Sequence, residues 1–588
     1  MRSPSSGKQI NASRLFFVSV FFCILTILTL SYLFIVQIKD HKAFTAQAQA
    51  VQSTEKKIVP KRGVIYFQDK DKNKIPVAIN KMYKLVYAVP AEIQTNNGVE
   101  STANTLSNLL GIDRASLITK FSKSNDKYEI VYPKLEDKNL ITQIENLKLK
   151  GIYMSEEYSR YYPLEKLGCH LIGFVGETKE GNGSKTGQYG LEKFYNDVLE
   201  GQEGSFKGIR DAFGRLIRSL TSQESPANDG SNIITTIDKN VQYKADEEVN
   251  KLLSTRLGTS GSIIVMEPKT GKIIAMSNWP NYNLNEYSKV SNYSVFKNPA
   301  VEDAVELGSV MKVITMSAAL DTGAVEPNTK YTDKGSIMID KKLIKNYQNE
   351  IHGESTMTEV LQWSINTGAV FAEQQTGNSI FLEYLKRYKL NEKTGIDLPN
   401  EAKSDIRNLE LDARNARDVY FATASYGHGI LLSALNMTRA YATIANNGIV
   451  ANPYVVEKIE HSDGSVEDLS RAPDGEAILK SETIKKLTGM MVNVVEQGYG
   501  KNAKIKGYTI AGKTGTADIA VDGKYSGDTI QSFAGFFPAY NPRFVILVKL
   551  DRPQLGAAAS ATVTYSFHNM AQFLINYYNI PPDVITNN

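Results

Sequence analysis

Lys312 is the one charged residue between Leu307 and Leu320, in a run that is otherwise apolar, small or hydroxylic, and Ser309 stands three residues before it. Asp321-Thr322-Gly323 supplies a stop, so Ser309 to Leu320 is predicted as a helix buried on most sides. Positions i and i+3 of a helix share a face, which places the amine of Lys312 within reach of the Ser309 hydroxyl. Burying a lysine is costly unless it is paired or neutralised. Desolvation lowers its pKa, and a neutral amine beside a serine is what an activated nucleophile requires. The competing reading is a lysine that snorkels out of a core helix. The same spacing recurs at Ser5/Lys8, Ser53/Lys56 and Ser124/Lys127, all in polar surroundings, so spacing alone does not select the pair.

A second cluster lies in QWSINTGAV, residues 362–370. Thr356 and Glu359 form a capping-box pattern that opens one helix, and another apolar run follows Thr367-Gly368. Ser364 and Asn366 then fall at the break between two helices, where a hydroxyl and an amide can point into a cleft, relay a proton and hold a substrate amide. Ordinary turn chemistry accounts for the same residues. The third cluster is AGKTGTA, residues 511–517. Lys-Thr-Gly occurs at Lys185, Lys269, Lys393 and Lys513. Lys185 is placed in a glycine-rich loop (179–187), Lys269 on a hairpin turn and Lys393 between a helix and IDLP. Only Lys513 ends an alternating strand, with a hairpin turn expected at Asp522-Gly523. There Gly515 lets a substrate backbone approach the strand edge. Thr514 and Thr516 can bind a carboxylate, with Lys513 supplying positive charge.

The elements that must position these groups follow from patterning. Leu15 to Val36 carries no charge and is long enough to cross a bilayer as a helix. Arg2, Lys8 and Arg14 precede it, which favours an N-terminus on the cytoplasmic side. A cleaved signal peptide is the alternative, with small residues at Ala46 to Ala50, but the apolar run exceeds a usual signal core. Residues 37–57 are polar and free of Gly and Pro, which suits a helix. Mixed short elements follow to about Ser225, and ESPANDG (224–230) reads as a linker. SNIITTID is expected as a strand, KNVQYKADEEVNKLL as an amphipathic helix and SIIVMEPKTGKIIAMS as a hairpin. Helices dominate to about Gly448, strands return around Lys513, 529–537 and 543–551, and a helix closes at Phe567 to Tyr578. Strands at both ends with helices between predict an α+β domain whose sheet pairs its two termini. The domain expectation is a tail (1–14), a transmembrane helix (15–38), a pedestal (39–225) and a catalytic domain (226–588).

The 588 residues exceed one core. A net charge of +4, from 67 basic and 63 acidic residues, gives no concentrated basic composition and no support for nucleic-acid binding. Cys23 and Cys169 are far apart and the six histidines lack metal-ligand spacing, so no disulfide framework, metal or cofactor is expected.

Order makes the three clusters specific. S-x-x-K, an S-x-N triplet and K-T-G, in that sequence, form the set shared by serine β-lactamases and penicillin-binding proteins. The chain resembles a class B penicillin-binding protein of the division-type, FtsI-like branch. KRGVIYFQDKDKN near Arg62-Gly63, RYYPLEKLGCHLIGFVG and GLEKFYNDVLEGQEG are similar to that family's pedestal motifs. TTIDKNVQ, VMEPKTGKIIAM, KNPAVED, ASYGHGILLSALNMTRAYATIANNG and SFAGFFPAYNPRFVILV are similar to its catalytic-domain motifs. Leu307 and Met311 depart from the family's usual Pro and Phe or Val.

The resemblance implies an elongated pedestal of the dimerisation type. It also implies a β-lactamase-like transpeptidase domain with an antiparallel sheet and a helical subdomain. The implied reaction is D,D-transpeptidation of peptidoglycan stem peptides ending in D-Ala-D-Ala, with β-lactams as inhibitors and D,D-carboxypeptidase hydrolysis as a minor side reaction. Ser309 is the implied nucleophile and Lys312 its base. Ser364 and Asn366 relay and hold, Lys513 tunes the field, and the N–H groups of Ser309 and Thr516 form the oxyanion hole. Septal wall synthesis is implied, at the cytoplasmic membrane with the catalytic domain outside, beside a SEDS-type (FtsW-like) glycosyltransferase and division proteins. A β-lactamase or penicillin sensor would differ in turning over nitrocefin or in carrying more cytoplasmic apparatus. A catalytically dead scaffold would fail a crosslinking assay.

Overall fold

The computed structural model describes residues 12–42, 44, 53–94, 98–123, 126, 128–178, 185–210, 216–217, 223–412, 417–473, 475–521, 524–556 and 558–584. It divides into two compact units, Met1–Pro60 with Gly201–Asp229, and Lys61–Glu200 with Gly230–Asn588.

In the first unit, helix α1 (Ala12–Phe34) runs into a π-helical turn at Ile35–Lys39. The most apolar stretch within Arg14–Lys39 is not buried by protein, and the span is a helix long and apolar enough to cross a membrane. The helix expected over 37–57 is corrected at its far end. Ser53–Ile58 is a strand paired antiparallel with Gly204–Arg210, which also pairs with Gln223–Ser225. A partner strand from a distant segment overrides local helix preference. The tail before residue 12 and the small residues Ala46 to Ala50 lie outside the described residues.

In the second unit, a seven-stranded sheet draws strands from residues 65–161, 232–238 and 456–468. It therefore takes strands from both sides of residue 226. Lys185–Gly187 is not loop but a short strand paired with Val175–Glu177; residues 179–184 of the expected loop lie outside the described residues.

The site rests on the second sheet of this unit. Its strands are β1 (Ser260–Met266), β2 (Ile273–Trp279), β3 (Ala511–Val521), β4 (Lys524–Phe537) and β5 (Phe544–Asp551), in spatial order β2-β1-β5-β4-β3. The two ends of the domain meet where β1 pairs antiparallel with β5, Ile263 opposite Val548. Both strands are apolar without alternation because the sheet is covered on both faces. Ile263, Val265, Ile546 and Val548 pack in one cluster with helices α2 (Lys239–Arg256) and α8 (Val563–Tyr577). Ile264, Met266, Val545 and Leu547 turn to the opposite face, against a helical layer. That layer contains α3 (Lys312–Asp321), α4 (Met357–Gln362), α5 (Asn366–Thr376), α6 (Ala434–Ala445) and α7 (Ser481–Glu496). The fold is mixed α+β, with the sheet and the helical layer expected from the strand–helix–strand order. The turn expected at Asp522-Gly523 lies outside the described residues.

Candidate active site

Ser309 lies in a 3-10 turn, Gly308–Met311, and α3 begins only at Lys312, so the expected single helix is two elements. The turn is pressed against β3. A Cβ on Gly308 (φ +66°) would stand 2.5 Å from the Thr516 carbonyl oxygen, and one on Gly515 would stand 2.6 Å from the Leu307 oxygen. Glycine at both positions is what lets backbone approach backbone. Ser532 Oγ donates to the Leu307 carbonyl at 3.2 Å and Tyr441 OH, from α6, donates to the Val310 carbonyl at 2.9 Å. These contacts set Ser309, half-buried, beside Thr516 on the sheet's edge strand.

Lys312 opens α3 and is 0% exposed, as is Lys513 on β3. Lys312 Nζ donates to Asn366 Oδ1 at 2.7 Å, to Ser364 Oγ at 3.2 Å and to the Ser364 carbonyl. Lys513 Nζ donates to Ser364 Oγ at 2.9 Å, to the Thr514 carbonyl at 2.9 Å and to Thr514 Oγ1 at 3.4 Å. Burial, then the charge of Lys513, pushes Lys312 well below the usual lysine range. Burial brings Lys513 down to about 7. Neither lysine has a carboxylate among its hydrogen-bond partners in the described residues. Two buried amines on neutral oxygens are therefore held towards their uncharged, proton-accepting forms.

Ser364 joins α4 to α5 with φ +58°, a left-handed conformation that L residues adopt at a cost of order 1–3 kcal/mol. The capping box of α4 is present as expected: Glu359 N donates to Thr356 Oγ1 at 3.2 Å and Thr356 N to Glu359 Oε2 at 2.7 Å. The break directs both oxygens of Ser364 towards Lys312.

The three clusters thus converge, with Lys312, Ser364, Asn366, Lys513 and Thr514 in one hydrogen-bonded set, and Gly515 and Thr516 against the Ser309 turn. One expected relation takes a different form. Among the described residues none of Lys312's hydrogen bonds ends on Ser309; the three it makes there go to the Ser364–Asn366 break.

Sequence reasoning also passed over residues that complete the site. The loop carrying His428 touches the Ser309 turn: a Cβ on Gly427 would lie 2.1 Å from the Gly308 oxygen, and Gly429 N donates to Glu306 Oε1 at 2.7 Å. Burial, then the charges of Lys312 and Lys342, lowers His428 to about 4, so its imidazole is neutral at physiological pH. Asn346 and Asp333, which hold the 364–366 break, were not singled out either. Each works through long-range contacts that leave no periodic signal.

The family model described as the penicillin binding protein transpeptidase domain matches residues 261–570, and the one described as the penicillin-binding protein dimerisation domain matches residues 57–235. The chain is 30% identical over 560 residues to stage V sporulation protein D of Bacillus subtilis, covering 94% of this chain and 84% of that protein. It is 30% identical over 525 residues to peptidoglycan D,D-transpeptidase FtsI of Escherichia coli, covering 88% and 84%. Penicillin binding protein 2X of Streptococcus thermophilus shares the fold, with a TM-score of 0.71 at 22% identity over 90% of this chain and 81% of that one. Two family models in tandem, and relatives aligned over nearly the whole length, lead to one conclusion: the chain belongs to the class B penicillin-binding proteins, the group that includes the FtsI-type transpeptidases.

Proposed function

We propose that this protein is a peptidoglycan D,D-transpeptidase that works through a Ser309 acyl-enzyme. The observation that carries the reading is the sharing of the Ser364 hydroxyl by two buried, carboxylate-free lysines beside the Ser309 turn. The activity named for the FtsI relative supports the substrate class.

In this mechanism the stem peptide lies along edge strand β3, where main-chain pairing gives affinity, and Thr514 and Thr516 receive its terminal carboxylate. Ser309 Oγ attacks the carbonyl of the penultimate D-alanine while neutral Lys312 takes the hydroxyl proton. The N–H groups of Ser309 and Thr516 stabilise the oxyanion, each such donor contributing about 10²–10³ in rate. Ser364, bonded to both amines, passes a proton to the departing D-alanine nitrogen. The amine of a second stem peptide then attacks the ester, loses a proton to the same relay and regenerates Ser309 with a new amide crosslink. β-Lactams acylate Ser309 as mimics of the D-Ala-D-Ala end. We assign residues 39–225 to the pedestal and 226–588 to the transpeptidase region. Helix α1 anchors the protein in the cytoplasmic membrane with its N-terminus inside. Septal duty beside an FtsW-like glycosyltransferase completes the proposal, and a fluorescent fusion followed in dividing cells tests that placement.

Ser309→Ala is expected to abolish labelling by a fluorescent penicillin while the thermal unfolding transition stays in place. Labelling at normal intensity would overturn the assignment.

A further inference from the structure

The backbone of the break that carries Ser364 and Asn366 is bonded by a side chain from a distant part of the chain, Asn346. Asn346 follows the hairpin formed by Ser336–Ile339 and Lys342–Lys345 and is 5% exposed. Its Oδ1 accepts from Asn366 N at 3.0 Å and from Thr367 N at 3.1 Å, so it caps α5 from a distant part of the chain. Ile365, at the residue before that helix, offers no side-chain cap. Asn346 Nδ2 donates to both oxygens of Asp333, at 3.0 and 2.9 Å, and to the Glu350 carbonyl at 3.1 Å. The amide orientation is fixed by chemistry. Reversed, its NH2 would face two N–H groups and its oxygen a carboxylate.

Asp333 is 2% exposed and accepts further from Thr367 Oγ1 (2.6 Å), Gly335 N (2.9 Å) and His352 N (2.8 Å). Burial alone would raise its carboxyl. The bonds from Thr367, His352 N, Gly335 N and Asn346 outweigh that and keep it below the usual range, hence charged. The neighbouring Lys345 carbonyl accepts from Asn366 Nδ2 at 2.8 Å, which turns Asn366 Oδ1 towards Lys312. Asp333, Asn346, the start of α5, Asn366 and Lys312 Nζ therefore form one continuous chain of contacts.

We propose that Asn346, seated on Asp333, is a positioning residue for acylation: by capping α5 it sets where Asn366 and Ser364 hold the amine of Lys312. The inference rests on the acyl-enzyme reading above. It assigns no contact with substrate to Asn346 itself. The other ionisable groups whose charge is coupled to Lys312 are Lys513 and His428, and neither is hydrogen-bonded to Asn346.

The test measures second-order acylation by a fluorescent penicillin across pH, with thermal unfolding followed on the same samples. Asn346→Ala is expected to slow acylation by about tenfold or more. It should also move the acid limb of the profile to lower pH, because the ammonium form of Lys312 loses a fixed acceptor. A merely structural role would lower the folded fraction and leave the limb in place. Asn346→Asp keeps an oxygen for the two N–H groups but sets carboxylate against carboxylate. Adding Asp333→Asn removes the facing charge and restores one donor–acceptor pair, so it is expected to recover part of the rate that Asn346→Asp alone loses, the Glu350 carbonyl and one donor to Asp333 being left without their partners. An unmoved acid limb with a loss matched by the unfolded fraction, or a double variant no faster than Asn346→Asp, overturns the proposal. A wild-type chain that is not labelled at Ser309 would instead overturn the acyl-enzyme reading.

Discussion

Lys312 and Lys513, from a helix and a sheet edge, meet on one hydroxyl: Ser364 Oγ lies 3.2 Å from the first amine and 2.9 Å from the second. Burial lowers both amines, Lys312 further through the charge of Lys513, and among the described residues neither amine is hydrogen-bonded to a carboxylate. Such an arrangement serves a relay better than a structural ion pair, which would place an acid beside each base.

Replacing Lys312 by arginine separates base chemistry from mere positive charge. Arginine stays protonated and presents a planar fork where three convergent oxygens expect a compact amine. Lys312→Arg is expected to lower the acylation rate by about 10²–10⁴-fold, read with a fluorescent penicillin at fixed folded protein concentration. Near-normal acylation would remove Lys312 from the role of base.

The close approach of the Ser309 turn to β3 predicts a contrast between two glycines. Gly308→Ala meets the Thr516 oxygen at 2.5 Å and keeps φ +66°, so it is expected to cost about 1–3 kcal/mol and to displace Ser309. Gly323→Ala has φ +75° but nothing within 4 Å of the new methyl. It is expected to cost about 1 kcal/mol and to acylate normally. Denaturant midpoints and acylation rates, measured side by side, check both halves.

Glu373, buried on α5, makes stability depend on pH. Its Oε1 has no hydrogen-bond partner among the described residues, and burial, then the charge of Asp418, raises its carboxyl to about 8. The folded-state pKa lies above the unfolded one, near 4.5. The stabilising protonated form is fully present below pH 4.5 and is lost as pH rises through 8. Glu373→Gln should match wild type near pH 5 and become the more stable chain above pH 8, by up to about 5 kcal/mol. A melting-temperature difference that stays constant from pH 5 to 9 would contradict this.

What sequence alone determined was local and periodic. The uncharged run from Leu15 to Val36, the apolar strands Ser260–Met266 and Phe544–Asp551, the Thr356/Glu359 capping box and the order of Ser309, Ser364 and Lys513 are all written in neighbouring residues. The first follows from length and lack of charge, the strands from short apolar runs, the box from a cap, and the order from its match to a known motif set. The helix expected through Lys57 failed at Ser53–Ile58 because its strand partner lies some 150 residues downstream, where no local pattern can signal it. The break of Ser309 and Lys312 into a 3-10 turn and an α-helix came from Gly308 and Gly515 lying flat against opposing backbone. Only the tertiary structure decided which oxygens Lys312 would find. A buried amine binds the acceptors that packing leaves within about 3 Å, and Ser364, Asn366 and the Asn346–Asp333 support reach it across separations that no sequence window spans.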